Sequence, residues 1–279
     1  MRRIIAVLLV LIIGLASCQK EPDFIDPNTV PAPISISPLL SRSVQVDGND
    51  SLVTTYAYDS SGRLIKKELT ELSTLLESYQ LVRNASGIIT KMIVKGSEAE
   101  ALYVDSINIA VFYNAALAQY TYTYSTVTTP SGKFSDSTVF VYDAAKNVIS
   151  KTTFITSDLG DSLRYRYDYS YASGNLIAAK EYEYDRTSGI FSLVATETYT
   201  YDDKVNPLKL GSEAMLYNYG YGFGNHNMTR LDNVNALDPT DNFTVLDSYT
   251  YNADGFPVSG NSSFNRGIPS VRQLRFYYR

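Results

Sequence analysis

The sequence predicts an all-β protein, a large curved antiparallel meander sheet or an open barrel. Three observations lead there. Tyrosine is unusually abundant, with 24 residues and no tryptophan, and many tyrosines recur at alternate positions, as on one face of a strand. Quartets of Asp or Asn ending in Gly recur between apolar runs, which is turn chemistry. No segment sustains the period of a long amphipathic helix.

The elements follow in order. Thr54, Tyr56 and Tyr58 share one strand face, Asp59-Ser60-Ser61-Gly62 reverses the chain, and Leu64-Ile65 begin the return. This is a β-hairpin signal. The same grammar runs from Leu81-Val82 through Asn84-Ala85-Ser86-Gly87 to Ile88-Ile89, and from Tyr142 through Asp143 and Asn147 to Val148-Ile149. It recurs at Tyr169 with Gly174 and Leu176, at Tyr201 with Asn206-Pro207, and at Tyr251 with Gly255-Phe256-Pro257. Proline lacks a ladder donor, so the strands after Pro207 and Pro257 should begin late or lie at an edge. The run Val271 to Tyr278 reads as a last strand whose open edge could pair with a partner. Residues 68–78, 96–106 and 114–119 are short and read equally as helix or strand. Asp59, Asp143, Asp185, Asp202 and Asp254 fall at hairpin tips. Each tip supplies too few oxygens for a calcium ion, so turn formation accounts for them.

The front of the chain, MRRIIAVLLVLIIGLASCQK, combines a basic start, a short apolar run and the tetrad Leu15 to Cys18. It resembles the lipobox of bacterial lipoproteins. That resemblance implies a signal peptide over residues 1–17 and acylation of Cys18, which anchors the chain to a bilayer. Cys18 is the sole cysteine, so an intrachain disulfide framework and a cysteine nucleophile are both excluded. Residues 18–45 are rich in Pro and acidic residues and read as a flexible tether. Lys20, Glu21 and Asp23 resemble the acidic export signal of Bacteroidetes surface lipoproteins. The expected address is the outer membrane, on its surface or periplasmic face. Residues 46–279 are expected to form a single domain. The net charge is -5, and without a basic block a nucleic-acid groove is not expected.

Tyr56 to Ile65 resembles the YD repeat of Rhs-type proteins, which builds long wound β-sheets. The Asn-Pro unit at Tyr199 to Pro207, the stretch Gly224 to Thr229 and the Gly-Phe-Pro unit at Tyr249 to Pro257 are similar to those of the DUF4595 family of Bacteroidetes lipoproteins. The resemblance implies YD-like hairpins on a lipid-anchored envelope protein and no particular activity.

Signals for chemistry are sparse. His226 is the only histidine, and no Gly-x-Ser-x-Gly elbow accompanies it. A zinc site would need further His or Cys ligands. No metal or cofactor is expected. A pair of carboxylates acting on a glycan stays open as an alternative. The preferred expectation is a non-enzymatic binding or structural scaffold for a polysaccharide or an envelope protein. Its candidate ligand-binding residues are Tyr217, Tyr219, Tyr221, Phe223, Asn225 and Asn227, where aromatic faces adjoin amide groups. The competing reading packs these residues into the sheet. Cys18→Ala is expected to lose the chain from the membrane fraction, as read by cell fractionation and immunoblotting. Undiminished membrane retention of the mature form would refute acylation at this site.

Overall fold

The computed structural model describes residues 39–130, 132–158, 162–208, 213–217, 224–266 and 268–279. The first eight strands are β1 (Leu40–Asp47), β2 (Asp50–Tyr58), β3 (Leu64–Glu71), β4 (Thr74–Arg83), β5 (Ile89–Gly96), β6 (Ile107–Asn114), β7 (Gln119–Thr129) and β8 (Gly132–Tyr142). The rest are β9 (Val148–Ser157), β10 (Ser162–Ala172), β11 (Asn175–Asp185), β12 (Ile190–Val205), β13 (His226–Asn235), β14 (Phe243–Tyr251), β15 (Pro257–Arg266) and β16 (Ile268–Tyr278). Among the described residues two short α-helices interrupt them, α1 (Ser97–Ala101) and α2 (Ala214–Tyr217). Each strand pairs antiparallel with its chain neighbours, and β16 returns to pair with β1, closing a sixteen-stranded barrel.

Closure corrects three expectations. The barrel is closed rather than open. The terminal run Val271 to Tyr278 is no edge, because it is bonded to β15 on one side and β1 on the other. The wound sheet implied by the YD and DUF4595 resemblance is absent, since the hairpins pair around a ring and close on themselves. The ambiguous segment 68–78 is the β3–β4 hairpin, 96–106 contains α1, and 114–119 is the β6–β7 turn. β1 begins at Leu40, so residues 40–45 belong to the barrel wall rather than to the tether.

One structural device recurs wherever an even strand hands over to the next odd one. The last inward residue of the even strand lies opposite the first inward residue of the odd strand, and the odd strand then carries one extra residue. The facing pairs include Tyr58 with Leu64, Tyr142 with Val148, Tyr171 with Leu176 and Tyr251 with Pro257. The extra, bulged residues are Ser41, Ile65, Thr90, Thr121, Ile149, Ile177, Thr229 and Val258. A bulge increases local twist and bends the strand, and the sheet must curve to close.

The turns follow from the same grammar. In four of them an Asx residue donates its backbone N–H to the residue four places on and accepts from the N–H three places on, as Asp59 does with Arg63 and Gly62. The Asx side chain bonds the returning strand as well, Asn252 accepting from the Asp254 and Phe256 amides. The third residue after the Asx has positive φ. It is Gly62 in the first turn, while Lys146 takes the same conformation at φ 65° in another.

The tyrosines at these junctions point into the barrel. The hydroxyl of Tyr58 donates to the Leu40 carbonyl at 2.8 Å, that of Tyr142 to Tyr120 at 2.6 Å, that of Tyr201 to Leu176 at 2.6 Å and that of Tyr278 to Pro257 at 2.7 Å. Each acceptor is the first inward residue of the preceding odd strand, so every such tyrosine ties one hairpin to the next. For these four tyrosines the partner of the hydroxyl is a backbone carbonyl. Burial pushes the Tyr142 phenol up to about 12, the Tyr120 carbonyl drawing it partly back. Tyr201→Phe is expected to lower the unfolding free energy by about 1 kcal/mol, the net worth of one hydrogen bond, read as a lower urea midpoint with an unchanged m-value. Tyr201→Ala should cost roughly 3–5 kcal/mol, because it also leaves a cavity.

Candidate ligand site in the barrel lumen

The two ends of the barrel differ. At the end where even strands turn into odd ones, the inward side chains are buried, among them Leu40, Leu64, Ile89, Leu176 and Leu231. At the opposite end the inward Gln45, Glu71, Leu163 and Glu183 are exposed. The lumen is thus a cup, closed by a packed floor and open at the other rim.

A wall of sixteen strands is too wide for its own side chains to fill. The segment between β12 and β13 supplies the missing volume by placing α2 in the lumen, where Leu216 and Tyr217 join the core with Leu64, Leu81, Tyr120 and Phe140. Glu213, just before α2, fixes its position. It takes a two-pronged ion pair from Arg83, Nη1 at 2.7 Å and Nη2 at 2.6 Å, and a bond from the Tyr120 hydroxyl at 3.0 Å. Arg83 also donates to the Gly87 and Leu64 carbonyls. Burial alone would lower the Arg83 pKa, but Glu213 outweighs it and holds the guanidinium above its usual value. Arg83 stands where the other even strands carry an inward tyrosine: Tyr58, Tyr113, Tyr142, Tyr171, Tyr201, Tyr251 and Tyr278.

Residues singled out in the sequence hold this insertion in place. Tyr217 is 1 % exposed and packs in the core instead of offering an open aromatic face. Asn227 is buried, and its backbone and side-chain nitrogens donate to Asp202. Asp202 also accepts from the Lys204 amide and the Tyr251 hydroxyl. Asn225 donates to the Ser173 carbonyl at 3.4 Å, and its own carbonyl accepts from the Asn206 amide at 3.0 Å. His226 is bracketed by Asn175, ring to amide at 3.0 Å and backbone to carbonyl at 3.2 Å. These groups form the neck of the inserted segment. Cys18, Tyr219, Tyr221 and Phe223 lie outside the described residues.

Above α2 is a lumen cavity of about 230 Å³. Its floor is apolar, made by Met92, Phe140, Met215 and Leu216. Thr123, Thr138 and Thr153 lie directly opposite one another across β7, β8 and β9, and the Thr138 and Thr153 hydroxyls are 3.0 Å apart. Lys151 lies toward the floor with its ammonium 4.7 Å from the Tyr167 ring centre, a cation–π distance. Asp136 lies toward the rim. Burial pushes the Asp136 carboxyl up, Lys151 pulling the other way. Burial lowers Lys151, partly offset by Asp136 and Glu181. Tyr167 donates to Glu181 at 2.9 Å.

A sequence reading missed Asp136 and Lys151. Counting back by twos from the inward Tyr142 reaches Phe140, Thr138 and Asp136, so a signal for Asp136 existed. Further carboxylates line the lumen on even strands. Glu77, Glu197 and Asp247 each accept from the tyrosine two residues later, Tyr79, Tyr199 and Tyr249. Among the described residues no three His, Cys, Asp or Glu side chains are grouped to hold a metal ion.

The fold and its filled floor define a closed antiparallel β-barrel with an internal plug. No family model matches the chain, so the DUF4595 resemblance gains no support, and no curated protein matches it. Among solved structures, a porin-like protein from Bacteroides vulgatus is similar with a TM-score of 0.53 at 9% identity, covering 87% of this chain and 99% of its own. A porin-like protein from Bacteroides uniformis is similar with a TM-score of 0.52 at 12% identity, covering 86% and 98%. At these identities the likeness is one of fold.

Two outcomes follow from the plug and the buried acids. Arg83→Ala strands Glu213 in a partly buried site and should cost roughly 3–5 kcal/mol. Limited proteolysis should then cut within residues 206–225 before it cuts the strands. Burial also raises the Asp247 pKa, with Ser262 and Tyr249 opposing. A carboxyl raised in the folded state contributes stability below its unfolded pKa, near 4, and loses it as pH rises through the folded value. Asp247→Asn should therefore flatten the fall in melting temperature from pH 4 upward and leave stability at pH 7 equal or higher.

Proposed function

We propose that this chain is a lipid-anchored outer-membrane protein whose barrel stands in water and acts as a binding scaffold, with the lumen as its binding compartment. The observation that carries this reading is the distribution of charge across the barrel wall. The outward faces bear ion pairs within the strands: Lys66 with Glu68, Arg166 with Asp168 and Arg230 with Asp232. Lys91, Lys95, Lys180 and Arg275 face outward too, by their register with outward partners. Each Lys or Arg at a bilayer midplane would cost about 2–4 kcal/mol, so a lipid-facing wall of this composition is heavily penalised. The fully buried apolar residues point inward, and on the outward faces exposed apolar residues such as Phe112, Val139, Val141, Leu246 and Val271 are interspersed with these charges. Most strands, at 9 to 16 residues, reach the roughly 9–11 residues of a spanning strand, so strand length is compatible with either solvent. Among the described residues no helix is long and apolar enough to cross a membrane, which says nothing about strands.

A bilayer is then reached through Cys18, and glycans or envelope proteins are met by the barrel itself. A glycan hydrolase is the second reading. It is favoured by Asp136 and Glu197, whose carboxyls burial raises as a general acid requires.

A protease site placed in residues 30–35 tests the architecture. Cleavage of membranes from expressing cells is expected to release the barrel into the soluble fraction without detergent. A barrel that stays in the membrane after complete cleavage, or stepwise conductance in a planar bilayer, would overturn the proposal. A glycan panel incubated with the released barrel and assayed for products decides between scaffold and hydrolase.

A further inference from the structure

We propose that the lumen cavity binds one ring of a neutral sugar, either a free monosaccharide or the end of a neutral glycan chain. This rests on the lumen being a binding compartment, names what that compartment takes, and is independent of the lipid anchor.

Size sets the first limit. At about 230 Å³ the cavity is below the roughly 300–1,000 Å³ of drug-sized pockets. It holds a single ring, and further residues of a chain would leave through the open rim.

Charge sets the second limit. Lys151, Tyr167 and Glu181 stand level on β9, β10 and β11. The Lys151 ammonium lies 4.7 Å from the Tyr167 ring centre, and the Asp136 and Glu181 carboxylates both act on it. The wall therefore supplies the counter-charges of its own base. A cationic ligand would meet Lys151, and an anionic one would meet the two carboxylates. Either would give up its hydration in a site where burial already disfavours charge. A neutral ligand loses only hydrogen bonds to water, and the lining can return them.

The lining then selects among neutral ligands. Four neighbouring strands present a hydroxyl at one height: Thr123 on β7, Thr138 on β8, Thr153 on β9 and Tyr165 on β10. All four residues line the cavity. The Thr138 and Thr153 hydroxyls bond each other at 3.0 Å, and each keeps further capacity, since a hydroxyl donates once and accepts twice. Among the described residues the Thr123 and Tyr165 hydroxyls have no partner. Adjacent strands lie about 4.8 Å apart, and hydroxyls on alternate carbons of a sugar ring span a comparable distance. Asp136, nearer the rim, accepts a hydroxyl in either protonation state. Below the rung the floor of Met92, Phe140, Met215 and Leu216 is apolar. A sugar ring carries both kinds of surface, hydroxyls at its edge and C–H groups on its faces. A purely apolar ligand would instead leave the rung of hydroxyls without bonds.

Calorimetric titration of the full-length lipoprotein, in a detergent without a sugar headgroup, tests this. One set of probes is neutral monosaccharides and neutral oligosaccharides, and the other is the matching uronic acids and hexosamines. At least one neutral sugar is expected to bind, and its charged counterparts should bind at least tenfold more weakly. An oligosaccharide that binds where its constituent monosaccharide does not marks the ligand as a chain end, and the reverse marks it as a free sugar. Thr123→Val, which removes one hydroxyl and keeps the side-chain shape, should weaken binding roughly three- to tenfold. Thr153→Trp, which fills the cavity, should abolish binding, with an unchanged circular dichroism spectrum verifying the fold. No neutral sugar bound at roughly 10 mM, tenfold above a millimolar dissociation constant, would overturn the assignment. So would binding that Thr123→Val and Thr153→Trp both leave unchanged, because the sugar would then lie elsewhere. Tighter binding of a uronic acid or hexosamine would overturn the neutral ligand and leave the lumen a binding compartment. Release of the barrel by tether cleavage is read separately, so the two proposals fail independently.

Discussion

The structure depends on one constraint: a sheet of sixteen strands closed on itself encloses more space than short side chains can fill. An empty lumen would forfeit most of the apolar burial that stabilises a fold. The sequence meets this with length of side chain and with an insertion. Tyrosine reaches farther inward than leucine or valine while keeping a polar tip. At the junction between hairpins that tip finds the carbonyl of the neighbouring hairpin, as Tyr58 does with Leu40 and Tyr278 with Pro257. The same residue therefore fills the floor and stitches the ring. Where the wall still falls short, α2 enters.

The single departure from the tyrosine rule shows how the two solutions are joined. β4 ends its inward row in Arg83, and this is the side chain that receives Glu213. A tyrosine there could offer one hydroxyl, whereas the guanidinium fork grips both carboxylate oxygens and two wall carbonyls as well. The neck residues Asp202, Asn206, Asn225 and Asn227 hold the other side of the insertion. Asn225 and Asn227, which read as amide groups of a binding cluster in the sequence, thus make hydrogen bonds at the neck of the insertion, and the Asp136 and Lys151 side chains line the cavity above α2.

Filling the lumen with apolar groups has a consequence for the outside. With the core inside, the outer faces carry threonine, serine and ion pairs such as Lys66 with Glu68, interspersed with exposed apolar residues such as Phe112, Val139 and Val141. The topology and the solvent of the wall are separate properties, fixed by connectivity and by side-chain parity respectively.

Much of this was legible from the chain. The all-β class, the hairpins, their turn residues and the placement of tyrosines on one face all follow from local chemistry, because turns and alternation act over a few residues. Asp136 was reachable by counting in twos from Tyr142. Lys151 was not. Counting in twos from the inward Val148 reaches Ser150 and puts Lys151 outside, yet the bulge at Ile149 shifts the register so that Lys151 faces Phe140 in the lumen. The same three-residue step takes Leu64 to Lys67 and Leu176 to Ala179. A bulge reverses the facing of every residue after it, and it is a property of two paired strands. Closure is likewise decided between β1 and β16, the first and last strands of the chain. Local residue chemistry thus determined the hairpins, whereas the paired register and the ring determined which side of the wall each charge occupies.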